Sequence, residues 1–391
     1  MGGVTVDLTT KRTFPRQVTI KDVARLSGVS PATVTRVMQG RDSVREETRR
    51  RVEEAVGALG YRPDHIARAL VTRSSRTIGL LLPSTGDSFW GEVAAGIEER
   101  ASEDGYSVIF ANAHGSPLRE SQMIDLFVGK RVDGIVIAGA TGDPRTWLAG
   151  HEPRSPVVLV NWDAAFGSQD LAAATLLPVE EMIVALTAEV GGRGVSHVAF
   201  DDLGAGAMAV DHLVGLGHTK IAFLGGTPIR PALLRILGFR RALERAGLPP
   251  GTIVPSGETL EAARDAARAL LAADDPPTAI VAYSDVVAIG AMRAAHTLRV
   301  RVPRDLSVVG IDDIDVAAYV EPPLTTIRQP KRRMGKEAME WILRQLIGES
   351  VPAHDTLPGP LIVRSSTGPA KEGNDWRGTS EARKERGGRG R

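Results

Sequence analysis

The sequence predicts a small all-α head followed by an α/β core of two doubly wound parallel-sheet subdomains, and three observations lead to this fold class. The chain has 391 residues, 42% of them hydrophobic and 24% charged, which suffices for two or three compact units. Its first 73 residues contain 14 Lys and Arg against 8 Asp and Glu, whereas the other 318 contain 34 against 39. From Thr77 onwards, short runs rich in Val and Ile alternate with amphipathic helical stretches.

The composition excludes several classes of protein. No uncharged apolar run approaches the ~18 residues of a membrane span, and the N-terminal segment lacks the apolar stretch of a signal peptide. Cysteine is absent, which excludes disulfides, thiolate nucleophiles and cysteine zinc sites. We therefore expect a cytoplasmic protein without membrane contact. The basic head predicts a polyanionic partner, although charge alone also fits an ordinary charged helical cap.

Helical spacing and capping residues predict the first helix of the head. The segment IKDVARL has an apolar face formed by Ile20, Val23, Ala24 and Leu26. Thr19, immediately before it, is a good N-cap residue. The three residues GVS then interrupt the helical pattern, which predicts a turn.

A second and a third helix complete this unit. Ser30 supplies a hydroxyl N-cap and Pro31 fits the first helical position, so PATVTRVMQ is expected to form a helix that closes at Gly40. The third helix begins near Arg45 and stops before Gly60, with an apolar face of Val52, Val56 and Leu59. Two short helices joined by a three-residue turn are typical of a helix-turn-helix, and the third helix completes the small core.

The rest of the chain shows the alternation typical of βαβ units. Buried strands are predicted at TIGLLLP, SVIFAN, DGIVIAG, PVVLVN, HVAFD, KIAFLGG, TAIVAYS and LSVVGID, and helical stretches separate most of them. About 290 residues are long for one open sheet, so two doubly wound subdomains are expected. The ligand cleft of such sheets lies beyond the carboxyl ends of the strands.

Enzymatic alternatives find little support. The segment LGAGAMA places Gly204, Gly206 and Ala209 in the G-x-G-x-x-A pattern of a dinucleotide site, but no acidic residue stands about 20 positions on, where the chain reads FLGG. Walker A, H-E-x-x-H and G-x-S-x-G motifs are absent, and the eight histidines are scattered. We therefore expect no enzyme, no cofactor and no metal site. A solute-binding protein for uptake would share the core fold but would require export and have no use for the basic head.

Two long segments carry a family resemblance. VTIKDVARLSGVSPATVTRVMQG, followed by VREETRRRVEEAVGALGYRPDHIARAL, resembles the DNA-binding head of the LacI/GalR family of bacterial transcriptional regulators. SRTIGLLLP, KRVDGIVIAG, DHLVGLGHTKIAFLGG, RILGFRRALERAGL and VPRDLSVVGIDDIDVAAYVEPPLTTIRQP continue the resemblance, which spans residues 19–365. It implies a cytoplasmic, nucleoid-associated bacterial repressor that binds palindromic double-stranded operator DNA as a homodimer.

The resemblance also implies a periplasmic-binding-protein-like core whose two lobes hold a small-molecule effector, a sugar or sugar derivative. Effector binding would shift the lobes and order or melt a hinge helix, through a coupling of typically 1–3 kcal/mol. Whether the effector induces or corepresses stays open, and so does the choice between a dimer and a tetramer. The expected organisation is a disordered extension at 1–17, a helix-turn-helix DNA-binding domain at 18–62, a hinge helix and linker at 63–76, an effector-binding and dimerisation domain at 77–368 and a disordered tail at 369–391.

A recognition helix presents its N-terminal side chains to base edges in the major groove. Arg36 is the strongest candidate, because its guanidinium can bond guanine O6 and N7 together. The other expected reading positions are Pro31 and Ala32, which offer only apolar contact, and Thr35. Thr33 and Thr35 are candidates for phosphate or base contacts, and the candidates for backbone phosphate contacts are Thr19, Ser30 and Thr48; the alternative in each case is a capping or solvated side chain.

The segment DHIARAL has room for only two helical turns, which are marginal in water by themselves. In the family, a leucine of this hinge helix enters the minor groove, and Leu70 matches that position. The wedge trades the cost of unstacking for a bend that brings more protein onto DNA; the alternative is that Leu70 packs against its dimer mate. Arg68 is a further candidate contact. Asp64, where the family usually has asparagine, either caps the helix or weakens DNA binding.

Four places in the core match the family's effector pocket: the segment with Asp87, Phe89 and Trp90, and the positions of Arg235, Asp285 and Asp312. Each lies at the carboxyl end of a strand or opens the helix that follows. Sugar-like ligands need a bidentate cation or carboxylate for paired hydroxyls, and an aromatic face. Ser284 replaces the family's usual asparagine, and Trp162 in NWD either lines the cleft or packs beside it. As isolated residues, most would be helix caps or surface charges. The candidate effector-binding residues are Asp87, Phe89, Trp90, Trp162, Arg235, Ser284, Asp285 and Asp312.

One departure from the family lies between NWD and HVAFD. The family usually has a short connection there, whereas this chain has AAFGSQDLAAATLLPVEEMIVALTAEVGGRG. Its EEMIVALTAEV portion could form an extra helix. The crossover and the floor of the cleft at this place are therefore not predicted.

Overall fold

The computed structural model describes residues 18–38, 40, 44–62, 74–140, 142, 155–162, 195–227 and 229–371. The chain divides into two compact units, residues 1–75 and 76–391. Within the described ranges, no helix is long and apolar enough to cross a bilayer. The expected hinge helix, with Arg68 and Leu70, and the insert after NWD lie outside the described residues.

The head contains the three expected helices. They are α1 (Ile20–Ser27), α2 (Pro31–Met38) and α3 (Glu46–Leu59). Gly28 and Gly60 follow α1 and α3 in the left-handed conformation that commonly ends a helix. The helices pack around a small apolar core of Val23, Ala24, Val34, Val37, Val52 and Ala55.

The expected apolar face of α1 is wrong at Leu26, which is 57% exposed. The buried stripe instead continues from Val23 and Ala24 to Ser27, at the helical spacing of one face. The Ser27 hydroxyl is compatible with burial because it donates to the carbonyl oxygen of Val23 at 2.7 Å. Leu26 lies two positions after Ala24 and therefore points away from this stripe.

The first lobe of the core, here the N-terminal lobe, is built on a six-stranded parallel sheet of order β11-β5-β4-β3-β1-β2. The sheet is buried along most of its central strands, as a parallel sheet covered by helices requires. Its elements are β1 (Thr77–Leu82), α4 (Ser88–Glu103), β2 (Ser107–Asn112), α5 (Pro117–Gly129), β3 (Gly134–Ala138), β4 (Val157–Val160), β5 (Val195–Phe200), α10 (Lys331–Leu346) and β11 (His354–Leu357).

The second lobe, the C-terminal lobe, has a six-stranded sheet of order β12-β10-β9-β8-β6-β7, in which only the β10–β12 pair is antiparallel. The two doubly wound subdomains predicted from the sequence are confirmed. The elements of this lobe are α6 (Asp202–Gly215), β6 (Ile221–Leu224), α7 (Arg230–Arg245), β7 (Ile253–Val254), α8 (Leu260–Ala272), β8 (Ala279–Ala282), α9 (Asp285–Thr297), β9 (Ser307–Asp312), a 3₁₀ turn (Asp315–Ala318), β10 (Thr325–Arg328) and β12 (Leu361–Ile362).

The described chain passes between the two sheets three times, after β5, after β10 and after β11. Helix α6 therefore packs against α7 in the C-terminal lobe, and α10 packs back against α4 in the N-terminal lobe. The polar residues at these passages lie where the carboxyl ends of the strands of both sheets converge, which is the place expected for the cleft.

Both helix pairs cross closely at glycines. A Cβ at Gly96 of α4 would lie 2.1 Å from the carbonyl oxygen of Arg332 in α10. A Cβ at Gly206 of α6 would lie 2.0 Å from the carbonyl oxygen of Arg235 in α7. Only glycine permits these approaches, and the second one fixes the start of α6 directly beside Arg235.

After β12 the chain runs along the starts of the C-terminal lobe's strands. The Ser366 hydroxyl donates to the carbonyl oxygen of Val308 at 2.6 Å, and the backbone N–H of Ala370 donates to Leu216 at 2.8 Å. Residues 369–371, which the sequence places in the tail, therefore contact the core.

Candidate DNA-binding surface and effector site

Helix α2 buries one face and exposes the other. Val34 and Val37 lie in the head's core, whereas the expected reading residues are all exposed, namely Pro31, Ala32, Thr35 and Arg36. Arg36 forms no ion pair within the described part of the chain. The side chain is exposed on the face of α2 opposite the head's core.

Three of the candidate hydroxyls, those of Thr19, Ser30 and Thr33, form hydrogen bonds at the starts of α1 and α2, as their capping alternative predicts. Ser30 Oγ accepts from the backbone N–H of Thr33 at 3.2 Å, and the two hydroxyls lie 2.9 Å apart. The Thr19 hydroxyl and backbone N–H both donate to Asp22, at 2.8 and 3.0 Å. Thr35 Oγ1 donates to the carbonyl oxygen of Pro31 at 3.0 Å, so it faces an external group as an acceptor.

Thr48 lies half-buried in the first turns of α3. It is therefore less accessible than the exposed residues of α2. Asp64, Arg68 and Leu70 lie outside the described residues, so the roles expected of them stay predictions.

Arg235 in α7 is the charged centre of the core site. Its Nε donates to Asp202 Oδ1 at 2.8 Å, and each of these side chains is 4% exposed. Its Nη1 donates to the carbonyl oxygen of Tyr283, and its guanidinium carbon lies 4.7 Å from that residue's ring centroid. Burial opposes the charged guanidinium, but Asp202, Tyr283 and Asp312 outweigh it and raise the pKa of Arg235. The residue is a permanent, well-positioned cation.

Asp312, at the end of β9, faces this cation. Its Oδ1 lies 3.9 Å from Arg235 Nη2 and accepts from Gln329 Nε2 at 2.7 Å. Among the described residues, no hydrogen bond is made to Asp312 Oδ2 or by Arg235 Nη2. One donor group and one acceptor atom are therefore left for a ligand within a few ångströms, an arrangement that suits paired hydroxyls.

A hydrogen-bond relay joins Asp312 to the N-terminal lobe. Gln329, in the second passage between the sheets, accepts through Oε1 from Asn161 Nδ2 at 3.2 Å. Asn161 follows β4 and accepts through Oδ1 from the backbone N–H of Phe200 at 2.9 Å. Gln329 and Asn161 are both buried. These hydrogen bonds connect the ends of strands in the two lobes beside Asp312 and Arg235.

Asp285 occupies a different environment from Asp312. It is 0% exposed, and its two oxygens accept from the Thr326 hydroxyl and from the backbone N–H of Ile314. Ser284 is also buried and caps α9 by accepting from the backbone N–H of Val287 at 3.3 Å. Both residues lie beside the site, with their polar atoms engaged by the protein.

The two buried carboxyls have raised pKa values. Burial raises the pKa of Asp312 to about 7, with Asp285 adding to the rise and Arg235 and Gln329 opposing it. Burial likewise raises the pKa of Asp285 to about 6, although Thr326 and the Ile314 N–H stabilise its carboxylate. The pair therefore takes up a proton close to neutral pH.

The aromatic candidates come from two elements of the N-terminal lobe. Asp87 is exposed and caps α4 by accepting from the backbone N–H of Phe89 at 2.9 Å. Phe89 and Trp90 are almost fully buried, with their rings packed edge-on at 4.8 Å. Trp162 is half-buried, and its Nε1 donates to the carbonyl oxygen of Gly142 at 2.9 Å.

Sequence reasoning did not single out Asp202, Tyr283, Gln329, Lys331 or Asn161. Asp202 and Tyr283 each stand next to a residue or strand that the patterns did identify, so proximity to a strand end was an available signal. The glycines of LGAGAMA also gain an explanation. Gly206 meets the backbone of Arg235, so it serves helix packing and leaves no space there for a phosphate.

A helical head with an exposed reading surface, joined to a two-lobed α/β core with a polar site where its sheets meet, defines the class of two-part transcriptional regulators. The family described as "Bacterial regulatory proteins, lacI family" matches residues 19–64, and the family described as "Periplasmic binding protein-like domain" matches residues 210–367. The chain belongs to the LacI/GalR family of bacterial transcriptional regulators, as its sequence motifs indicated.

Individual relatives agree with this assignment. The chain is 34% identical to the HTH-type transcriptional repressor CytR of Escherichia coli K12 over 353 residues, covering 89% of this chain and 96% of that protein. It is 32% identical to the ribose operon repressor of the same strain over 349 residues, covering 88% and 98%. The lac repressor dimer bound to operator and the anti-inducer ONPF matches with a TM-score of 0.77 and 27% identity, covering 90% and 100%.

These relatives are repressors, so the chain is a transcriptional regulator and not an enzyme. The dehydrogenase alternative is thereby wrong. The uptake alternative is also wrong, because the matched head is a DNA-binding domain of this family.

Proposed function

We propose that this chain represses transcription by binding a palindromic operator as a homodimer, and that a sugar-like effector bound between its lobes controls the operator affinity. As a DNA-binding regulator of this family it acts in the bacterial cytoplasm, where the DNA lies, and its association with the nucleoid is part of the proposal. The matched lac repressor is a dimer bound to operator, which supports the same assembly here.

The observation that carries the effector site is the pair formed by Arg235 and Asp312. Arg235 Nη2 is a donor and Asp312 Oδ2 an acceptor for which the described residues provide no hydrogen bond, although Nη2 lies 3.9 Å from Asp312 Oδ1 in an ion pair. Two adjacent hydroxyls of a sugar ring present the complementary acceptor and donor. The name of the ribose operon repressor supports a carbohydrate ligand.

The remaining candidates support this pair in two ways. Phe89, Trp90 and Trp162 supply aromatic surface, and Asp87 offers an exposed carboxylate at the start of α4. Ser284 and Asp285, whose polar atoms are engaged, act by holding the end of β9 and the start of α9 in position.

On the DNA side, we assign direct base recognition to Arg36, with Pro31, Ala32 and Thr35 completing the reading surface. Thr19, Ser30, Thr33 and Thr48 contribute backbone contacts at most, because their hydroxyls serve helix starts or lie half-buried. Leu70 is assigned the minor-groove wedge, and Arg68 a phosphate contact.

The DNA function is tested by selecting duplexes from a random pool with the purified wild-type protein. We expect a palindromic consensus, and we expect Arg36→Ala to lose about 1–3 kcal/mol of discrimination at one base pair per half-site. Arg25→Ala is the matched control, because Arg25 is an exposed cation of α1 on a different helix. If wild type enriches no sequence over the starting pool, the operator proposal is wrong.

The effector site is tested by thermal shift against a panel of sugars and nucleosides, followed by calorimetry. We expect Arg235→Ala and Asp312→Ala to abolish binding of whichever compound stabilises wild type, while the ligand-free variants still bind DNA if the effector is an inducer. Unchanged ligand affinity in both variants would remove these residues from the pocket.

A further inference from the structure

Lys331 is a buried cation at an electrostatically unfavourable place. It is the first residue of α10, and its side chain is 3% exposed. A helix N-terminus carries partial positive charge, so a buried ammonium there is stable only if other groups compensate it. The first turn of α10 contains no acidic residue that could do so.

The compensating oxygens come from both lobes. Lys331 Nζ donates to the backbone carbonyl oxygens of Asp312 and Asp313 at 2.8 and 2.9 Å, in the C-terminal lobe. It also forms an ion pair at 3.2 Å with Oε1 of Glu92, in helix α4 of the N-terminal lobe. The ammonium lies 6.0 Å from the centre of the Phe89 ring, within range of a cation–π contact.

The segment that Lys331 holds in the C-terminal lobe is strained. Asp312 and Asp313 are consecutive residues with φ values of +130° and +52°, a region that residues other than glycine rarely adopt. The Asp313 carboxylate is fixed by Arg328 and Arg364, each at 2.6 Å. The backbone of the turn, however, is bound by Lys331, so a displacement of Asp312 changes the position of the ammonium's acceptors.

We propose that Lys331 is a positioning residue that couples the Asp312–Asp313 turn of one lobe to helix α4 of the other. Asp312 is the acceptor assigned to the effector, and Asp87 and Phe89 lie at the start of α4. The contacts of Lys331 with Asp312, Asp313 and Glu92, here called the bracket, therefore link ligand contacts on the two sides of the cleft. The transmission of effector binding rests on the proposed function, whereas the contacts of Lys331 with both lobes do not.

The bracket is tested by a distance measurement between the lobes of the full-length protein. The chain has no native cysteine, so spin labels can be placed on Ser102→Cys in α4 and Arg293→Cys in α9, both at exposed positions. Labelled chain is diluted with unlabelled chain, and pulsed electron resonance gives the distance distribution. We expect Lys331→Met to shift or broaden this distribution.

Two further variants keep the test interpretable. Glu92→Gln removes the N-terminal-lobe partner at a partly exposed position and should change the distribution in the same direction but less, with no added change in the double variant. Lys336→Met is the matched control, because Lys336 pairs with Glu99 of α4 at 2.9 Å and contacts neither Asp312 nor Asp313. If Lys331→Met fails to fold, the Glu92→Gln comparison decides. An unchanged distribution in the folded bracket variants overturns the proposal.

The coupling role is tested with a duplex selected by wild type from a random pool. We expect Lys331→Met to change operator affinity by roughly 5-fold or more, the lower end of typical allosteric couplings, and Lys336→Met to leave it within about 2-fold. A changed distance distribution with unchanged operator affinity overturns the coupling role. If wild type selects no duplex, the proposed function fails, while the distance measurement still decides whether the bracket exists.

Discussion

The buried ion pair between Asp202 and Arg235 allows a quantitative test of what holds the core site in place. Asp202→Asn keeps the size of the side chain but removes its charge, leaving Arg235 as a buried cation. Breaking a buried ion pair by removing one partner typically costs about 3–5 kcal/mol. Asp312 at 3.9 Å and the Tyr283 carbonyl still stabilise the guanidinium. We therefore expect a loss near the lower limit, about 3 kcal/mol.

The same two helices supply the control. Asp211 of α6 pairs with Arg245 of α7 at 2.8 Å, but these side chains are 57% and 59% exposed. Exposed ion pairs contribute about 0–1 kcal/mol because water solvates both charges. Asp211→Asn should therefore reduce the free energy of unfolding by less than about 1 kcal/mol.

Urea denaturation followed by tryptophan fluorescence measures both effects. All five tryptophans lie after residue 77, so the signal reports on the unit that contains α6 and α7 and not on the head. A shift in the midpoint at constant slope can be converted to a change in free energy. Equal losses in the two variants would show that burial does not set the strength of the Arg235 pair, and the reasoning would then be refuted.

Three other perturbations have definite outcomes. Gly96→Ala should destabilise the core by roughly 1–3 kcal/mol, because its Cβ would clash with Arg332. Gly91→Ala, which has open space at its Cβ, should instead stabilise α4 by up to ~1 kcal/mol. Similar effects of the two substitutions in urea denaturation would contradict the close crossing of α4 and α10. The pKa of Asp312 is about 7 in the folded protein, against 3.8 when unfolded. The contribution of Asp312 to the free energy of unfolding therefore decreases as the pH rises from 3.8 to about 7. Asp312→Asn should not show this decrease, so the stability of the variant relative to wild type should increase with pH, by about 1.4 kcal/mol per unit of pKa difference. If the free energies of unfolding of variant and wild type depend on pH in the same way, the pKa of Asp312 is not raised. Leu70→Ala should weaken binding to a selected operator more than binding to random duplex at fixed salt, because only the bent specific complex uses the wedge; equal losses would remove that role.

Local patterns in the sequence determined most of the architecture. Capping residues and the spacing of small apolar side chains set the bounds of α1, α2 and α3, because helix ends depend on groups a few residues apart. The Val- and Ile-rich strands that alternate with helices determined the parallel part of both sheets for a similar reason, since a strand buried on both faces needs continuous apolar side chains. The motifs in family order were specific enough to indicate the family.

Only the tertiary structure decided which charged groups meet. Arg235 is 33 residues from Asp202 and 48 from Tyr283, and Asn161 is 168 residues from Gln329, distances over which no periodicity carries information. The same holds for Lys331, which reads in the sequence as one of three basic residues at the start of an amphipathic helix, yet is buried against carbonyls of another lobe. A buried charge is stable only beside its partners, and which partners are within reach is a property of the folded chain.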